Sequence, residues 1–205
     1  MNNNRVTDRR IIRTRTMISE AFLVILHNKP FDEISIVDIS EQANINRSTF
    51  YAHFIDKEDL LHQMVADKLN LLKEKINKGI ESPAAAPAFY RPDPIFLALF
   101  EHVFEYGYFY RVMFANCTAG DFRTKFNGII KDGFFLCLSK QGMEQKLQVP
   151  LDLLLDYISY STSGVIDKWL SENKVYSPDH MALQLTRLSL LGIYKSMGVS
   201  VNEVN

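Results

Sequence analysis

Cysteine is scarce. The 205 residues hold only Cys117 and Cys137, with no CxxC pair, which argues against a disulfide framework and a structural zinc site. Both fall among apolar residues, where buried reduced thiols are expected. The five histidines, His27, His53, His62, His102 and His180, show no metal-ligand spacing. There is no Gly-rich phosphate loop, no nucleophile elbow and no paired-carboxylate motif. Asp152 and Asp156 are acids at i, i+4, a spacing that suits a solvated or capping role. No apolar run approaches the roughly 18 residues of a membrane span. The basic N-terminus is not followed by the apolar run of a secretory signal. No stretch alternates with period two and no Asn-Gly hairpin signal occurs, so strands are not expected. These absences point away from an enzyme, a metal or cofactor site, and a membrane protein. The expectation is a cytoplasmic, non-enzymatic chain with no cofactor.

Apolar residues make up 47% of the chain, enough for a sizeable core, and charged residues 23%. The net charge of −1 argues against a protein that coats nucleic acid generally. Charge is unevenly placed, however. Residues 1–15 hold five arginines (Arg5, Arg9, Arg10, Arg13, Arg15) against one acid, Asp8, a local +4. A basic end on a mildly acidic body suits a protein that offers one face to DNA.

The organising stretch runs from Ser35 to Leu61. Ser35 is a good N-cap, and Asp38 lies three residues on, where its carboxylate can answer the cap. Ile36, Ile39 and Ala43 share one face of a first short helix. Asn44 falls where the chain must turn, and asparagine tolerates left-handed backbone angles. Ile45 plugs the turn. Asn46 can cap a second helix, Arg47 to Phe54. Phe50 and Phe54 at i, i+4 point to a core, which leaves Arg47, Ser48, Thr49, Tyr51 and His53 facing outward. This is a helix-turn-helix with a polar second helix.

Val37-Asp38-Ile39, Ala43-Asn44-Ile45-Asn46-Arg47-Ser48-Thr49-Phe50-Tyr51 and His53-Phe54-Ile55-Asp56-Lys57-Glu58-Asp59-Leu60-Leu61 together resemble the DNA-binding domain of the TetR family of bacterial transcriptional regulators. Asn44 stands where that family usually has glycine. The resemblance implies that Arg47, Ser48, Thr49, Tyr51 and His53 meet the major groove or its edges, with Asn46 and Val37 beside them. It also implies that Thr14, Ser35, Tyr51 and Lys57 contact phosphates, Lys57 from a helix N-terminus. Arg9, with Arg10 and Arg13, would add charge from the first turns of a helix starting near Thr7 or Asp8. Those cations oppose the helix dipole unless a phosphate is near. Met1 to Val6 is expected to be a tail, and Lys29-Pro30-Phe31 to end the first helix near His27.

A fourth helix, Asp56 to Gly79, reads as a connector. Pro83, Ala84-Ala85-Ala86, Pro87, Pro92 and Pro94 mark a spacer within residues 81–94. Further helices are expected over Pro94–Tyr106, Tyr108–Asn116, Phe122–Gln141, Pro150–Glu172 and Pro178–Ser196, the last capped by Ser177. The fold is therefore all-α. A three-helix helix-turn-helix DNA-binding domain spans residues 1–64, and a larger helical ligand-binding and dimerisation domain spans 65–205.

The aromatic second half can be core, or it can line an apolar ligand pocket. The candidate lining is Phe100, His102, Phe104, Phe109, Met113, Phe134, Tyr157 and Ser161, with His102, Tyr157 and Ser161 supplying polar groups. Ser159, Ser161, Thr162, Ser163 and Gly164 would allow close helix approach. The C-terminal half is similar to that of regulators from Gram-positive bacteria. In TetR-like proteins the last two helices form a four-helix dimer interface, which here implies Ile158, Val165, Trp169, Leu185, Leu188 and Gly192. Burial of those residues within one chain is the competing expectation. The resulting reading is a homodimeric repressor on a double-stranded, inverted-repeat operator, released by a small apolar or aromatic effector. The alternative is a DNA-binding protein controlled by, or acting through, a protein partner without a small ligand.

Overall fold

The computed structural model describes residues 3–81, 88–116, 121–142 and 147–197, with side chains over 9–193 and 196–197. Cys117, Pro83, Ala84-Ala85-Ala86 and Pro87 lie outside the described residues. All regular structure among the described residues is helical, apart from an isolated bridge between Ala88 and Arg91.

The described residues fall into two compact units. The first is Met1–Lys68 with Tyr108–Phe122, and the second Leu69–Gly107 with Arg123–Asn205.

In the first unit, α1 (Asn3–Asn28) is followed by a single 3-10 turn (Phe31–Glu33), then α2 (Ile36–Gln42), α3 (Arg47–Tyr51) and the start of α4 (Lys57–Glu81). α1 begins at Asn3, four residues or more before the expected start, because no proline or glycine precedes Lys29. Arg9, Arg10 and Arg13 therefore lie beyond its first turn, and the expected conflict with the helix dipole largely disappears, since that effect fades within one turn. All of residues 9–13 are exposed, and Ile18 is the first buried residue from Arg9 onward. From there Ile18, Ala21, Phe22 and Leu26 recur at helical spacing and are buried. Phe31 closes the bottom of this core edge-on against Phe22, with ring centroids 6.2 Å apart.

The segment Tyr108–Phe122 belongs with these helices, although the sequence places it after the boundary at Met64. The cause is its burial pattern. Phe109, Tyr110, Val112, Met113 and Phe114 of α6 (Gly107–Ala115) are all buried. At its end, Asn116 Nδ2 donates to the Leu26 carbonyl of α1 at 3.2 Å.

The second unit holds α5 (Pro94–Glu105), α7 (Phe122–Lys140), α8 (Leu151–Ser171) and α9 (Pro178–Ser196). Its core takes Ile95, Leu99, Phe100 and Val103 from α5, Ile130 from α7, Ile166 and Trp169 from α8, and Ala182 and Leu185 from α9. Phe100 meets Trp169 edge-on at 5.1 Å. Asp93 caps α5 by accepting the Ile95 N–H at 2.8 Å, while its own N–H donates to the buried Thr186 hydroxyl of α9 at 2.7 Å. Burial raises the Asp93 carboxyl above the ordinary range. Ser177 accepts the His180 N–H and so caps α9, as its position implied. α9 does not run straight, because Gly192 adopts φ 69°, ψ 174° and kinks it.

Candidate nucleic-acid interface

The interface is built from the turn outward. Ser35 caps α2 with a complete capping box: its hydroxyl accepts the Asp38 N–H, and Asp38 Oδ2 accepts the Ser35 N–H at 2.8 Å. The Ser35 N–H and the Ser35 hydroxyl, each donating to Asp38 Oδ2 at 2.8 Å, together with the Lys29 ammonium at 3.1 Å, hold the Asp38 carboxyl down at about 2. Asn44 takes φ 52°, the left-handed conformation its position required, and the Ile45 N–H closes the turn onto Ser40 O at 2.9 Å. Asn46 is the N-cap residue of α3 by backbone angles, without a side-chain cap bond.

α3 is shorter than expected. It ends at Tyr51, and a turn carries the chain through His53 to Phe54, whose N–H still reaches Phe50 O at 3.0 Å. Phe50 and Phe54 are buried with ring centroids 5.8 Å apart. That anchoring turns Arg47, Ser48 and Tyr51 fully outward and leaves Thr49 and His53 half-buried. Tyr51 is 58% exposed, its ring packed edge-on against Phe50 with centroids 5.6 Å apart. Asn46, Ser35 and Arg9 are exposed as well, and Val37 and Thr14 half-buried. The Thr14 hydroxyl donates back to Arg10 O.

Lys57 is not available for a phosphate in this geometry. Its ammonium donates to the carbonyls of Phe31 (2.9 Å), Asp32 (3.1 Å) and Ile34 (2.9 Å), which uses its three protons. It also stands over the Phe31 ring at 4.7 Å. The residue read as a DNA contact is a strut between α4 and the 3-10 turn.

The sequence reading missed a second tie, Arg15 with Gln63 and Asp59. Arg15 counted there only as one of five basic residues. The available signal was Asp59 and Gln63 at i, i+4 facing back towards α1.

Of the expected ligand lining, Phe109 and Met113 belong to the first unit and the other six residues to the second. Phe100 and His102 are buried, and Phe134 packs on Phe96 with centroids 5.3 Å apart. Phe104 and Tyr157 are 49% and 53% exposed, and Ser161 is exposed too. Ser161 lines an open groove of about 370 Å³ with Tyr160, Val165, Trp169 and Met181. The expected dimer residues also divide. Trp169 and Leu185 are core, and the Trp169 indole N–H donates to Tyr176 O at 3.0 Å. Ile158 and Val165 are half-buried, Leu188 is 47% exposed, and Gly192 is exposed and kinks α9. Cys137 is a free, half-buried thiol whose pKa burial raises. No group of three or more His, Cys, Asp or Glu among the described residues could hold a metal ion.

A capped α2, a left-handed turn and a short polar α3, followed by an all-helical second unit, define a helix-turn-helix transcriptional regulator. The family of bacterial regulatory proteins named for tetR matches residues 20–64, and a transcriptional-regulator C-terminal region matches 91–190. The chain belongs to the TetR family of bacterial transcriptional regulators. Over 59 residues, 28% of this chain, it is 46% identical to YxbF of Bacillus subtilis (strain 168), an uncharacterised HTH-type transcriptional regulator. That match spans only 16% of the relative's length. Among solved structures, a Clostridium perfringens putative fatty acid metabolism regulator is similar with TM-score 0.69 and 20% identity, over 86% of this chain and 98% of that one. The FadR regulator of Bacillus subtilis in complex with stearoyl-CoA is similar with TM-score 0.67 and 18% identity, over 87% and 98%. The activator of a dihydroxyacetone kinase operon, DhaS, gives TM-score 0.58 and 21% identity, over 89% and 97%. At these identities the likeness is one of fold.

Proposed function

We propose that this regulator acts in the cytoplasm as a homodimeric repressor, with α3 of each copy in the major groove of an inverted-repeat operator. The observation that carries the reading is the outward row of Arg47, Ser48 and Tyr51 on a helix anchored from behind by Phe50 and Phe54. Arg47 is the base-reading candidate, because a guanidinium can bond a guanine edge in two places. Ser48, Thr49 and His53 face the groove edges, with Asn46 and Val37 beside them. Tyr51, Thr14, Ser35 and Arg9 face phosphates, and the arginines of residues 9–13 supply their charge. One such unit reads few base pairs, so useful specificity needs two half-sites about 34–36 Å apart.

The dimer face in this reading is the exposed side of α8 and α9. Leu153, Tyr157, Tyr160, Ser161 and Gly164 fall on one face of α8 at helical spacing, flanked by Ile158 and Val165, and α9 adds Leu188. An apolar patch of this kind normally marks an interface.

A small, largely apolar effector binding the second unit then releases the DNA. The stearoyl-CoA complex of the FadR neighbour supports a ligand that carries a long apolar chain. Such a ligand acts only through a differential affinity for two spacings of the recognition helices. The coupling is reciprocal and must amount to roughly 1–3 kcal/mol to be a useful switch. The alternative, control by a protein partner, is favoured by the exposure of Phe104 and Tyr157, which an enclosed pocket would have buried.

The test is selection of bound fragments from the source genome, then titration of the selected duplex with and without stearoyl-CoA. The proposal expects an inverted repeat and weaker binding with ligand. Fragments without a common sequence would refute the first part. Ligand that binds without altering DNA affinity would leave the partner-controlled reading.

A further inference from the structure

α3 has five residues, too few to be stable or oriented by its own hydrogen bonds. Its direction is set at its two ends. The N-terminal end is held by the Asn44–Ile45 turn. The C-terminal end runs into the link of residues 52–56, and α1 reaches across to that link. The Arg15 guanidinium donates to His53 O at 3.2 Å and to Gln63 Oε1, and lies over the Phe54 ring at 4.5 Å. Gln63 Nε2 donates to Asp59 Oδ1 at 2.7 Å. The other Asp59 oxygen accepts the Ile55 N–H at 3.0 Å. One chain of contacts thus joins α1, α4 and both backbone faces of the link, its carbonyl at His53 and its N–H at Ile55. The two acceptors of Arg15, His53 and Gln63, lie 38 and 48 residues from it in sequence.

We infer that Arg15, backed by Gln63 and Asp59, is a positioning residue for sequence recognition. It orients α3 so that operator specificity, rather than DNA affinity in general, depends on it. The inference rests on the reading of α3 as the recognition helix. Its physical basis is a difference in tolerance. Bonds to base edges need the side chains of α3 in register with the groove, whereas attraction to phosphates is long-ranged and survives small displacements. Arg15 gives two N–H groups to protein acceptors and lays its plane on the Phe54 ring, so its effect is argued through the link rather than through a phosphate. Lysine keeps the charge but cannot span both acceptors while lying flat on Phe54.

The experiment compares the full-length wild-type chain with Arg15→Lys and Gln63→Met. Affinity is measured for the selected operator and for a scrambled duplex of equal length, across salt, together with amide hydrogen exchange at Ile55. Arg15→Lys should lower operator affinity about tenfold, which is about 1.4 kcal/mol. Scrambled-duplex affinity should stay within about twofold and the salt slope should be unchanged, because the charge is conserved. Exchange at Ile55 should quicken in both variants. An unchanged operator-to-scrambled ratio in folded Arg15→Lys overturns the inference. So does a parallel fall of both affinities with melting temperature, which is what a purely structural role gives. If Arg15→Lys does not fold, Gln63→Met supplies the same three readouts. A wild-type chain with no sequence preference would strike the recognition reading instead. The exchange arm would still decide the clamp, and exchange at Ile55 equally fast in wild type and variants would overturn it.

Discussion

Gly164 offers a perturbation whose two effects have opposite signs. It lies on the exposed face of α8, and a Cβ built on it meets no atom within 4 Å. Within one chain, the Cβ that Gly164→Leu adds therefore meets no clash. It should instead stabilise α8 by roughly 0.5–1 kcal/mol, because glycine is among the poorest helix formers. In a chain of this length that corresponds to a rise of about 1–4 °C in melting temperature. In the proposed dimer the same glycine lets a facing helix approach closely. Forcing a leucine into such a contact costs typically about 1–3 kcal/mol. A two-fold axis inserts it twice, so dimerisation should weaken by about 2–6 kcal/mol, or roughly thirtyfold to twenty-thousandfold in Kd. Sedimentation equilibrium over a concentration series separates the two effects, with melting measured at concentrations where the variant is monomeric. Leu188→Asp is the companion, since its exposure makes the charge tolerable in one chain and costly only at an interface. A folded Gly164→Leu variant that dimerises as tightly as wild type would remove α8 from the interface. A lowered monomer melting temperature would contradict the open space around Gly164.

Other variants test the DNA-facing side. Arg47→Ala should cost about 1–3 kcal/mol on the operator and relax preference at one base position, as read by competition against single-base operator variants. Tyr51→Phe should instead weaken every duplex alike and reduce the log–log salt slope by roughly 0.9, one phosphate contact's share. Lys57→Met should leave that slope unchanged and lower stability by at least about 1.5 kcal/mol, the value of a single hydrogen bond from a charged donor. Thermal melting and a salt titration of the same variant decide between strut and phosphate contact. For pH, the Asp38 carboxyl is depressed from 3.8 to about 2 by the Ser35 N–H, the Ser35 hydroxyl and Lys29. A depressed carboxyl stabilises the fold fully above its ordinary value, and that contribution is lost as pH falls through the lower one. Stability should drop between about pH 4 and pH 2 in wild type and less steeply in Asp38→Asn, as followed by helix signal against pH.

The helix-turn-helix was legible because its determinants are local. A cap, a carboxylate three residues on, a residue able to turn left-handed and two aromatics at i, i+4 lie within 20 residues. Ser35, Asp38, Asn44, Phe50 and Phe54 each do in space what their spacing implied. Helix ends were similarly readable where proline or a polar cap marks them, as at Asp93-Pro94 and Ser177-Pro178. The Lys57 strut was not readable, because the carbonyls it meets lie 23 to 26 residues away. A lysine beside a helix N-terminus looks the same whether it faces phosphate or backbone. Arg15 hid for the same reason, one cation among five whose neighbours are set by the packing of α1 on α4.

The second half shows the limit in another way. α8 carries small and aromatic residues on more than one face, so periodicity alone does not say which face turns inward. The structure buries Ser159, Thr162, Ile166 and Trp169 and exposes Tyr157, Tyr160, Ser161 and Gly164. The small-residue run is thus divided. Part packs against helices of the same chain, and part lines a surface that a second copy would cover. Within one chain Tyr157 and Ser161 face outward and Trp169 inward. A helix in a monomer hides one stripe, whereas one that also dimerises must make two stripes apolar, and its sequence then resembles that of a wholly buried helix. The same ambiguity that blurred pocket and interface is therefore itself an argument for self-association. A helix with one buried stripe needs no Leu153, Tyr157 and Tyr160 on the other.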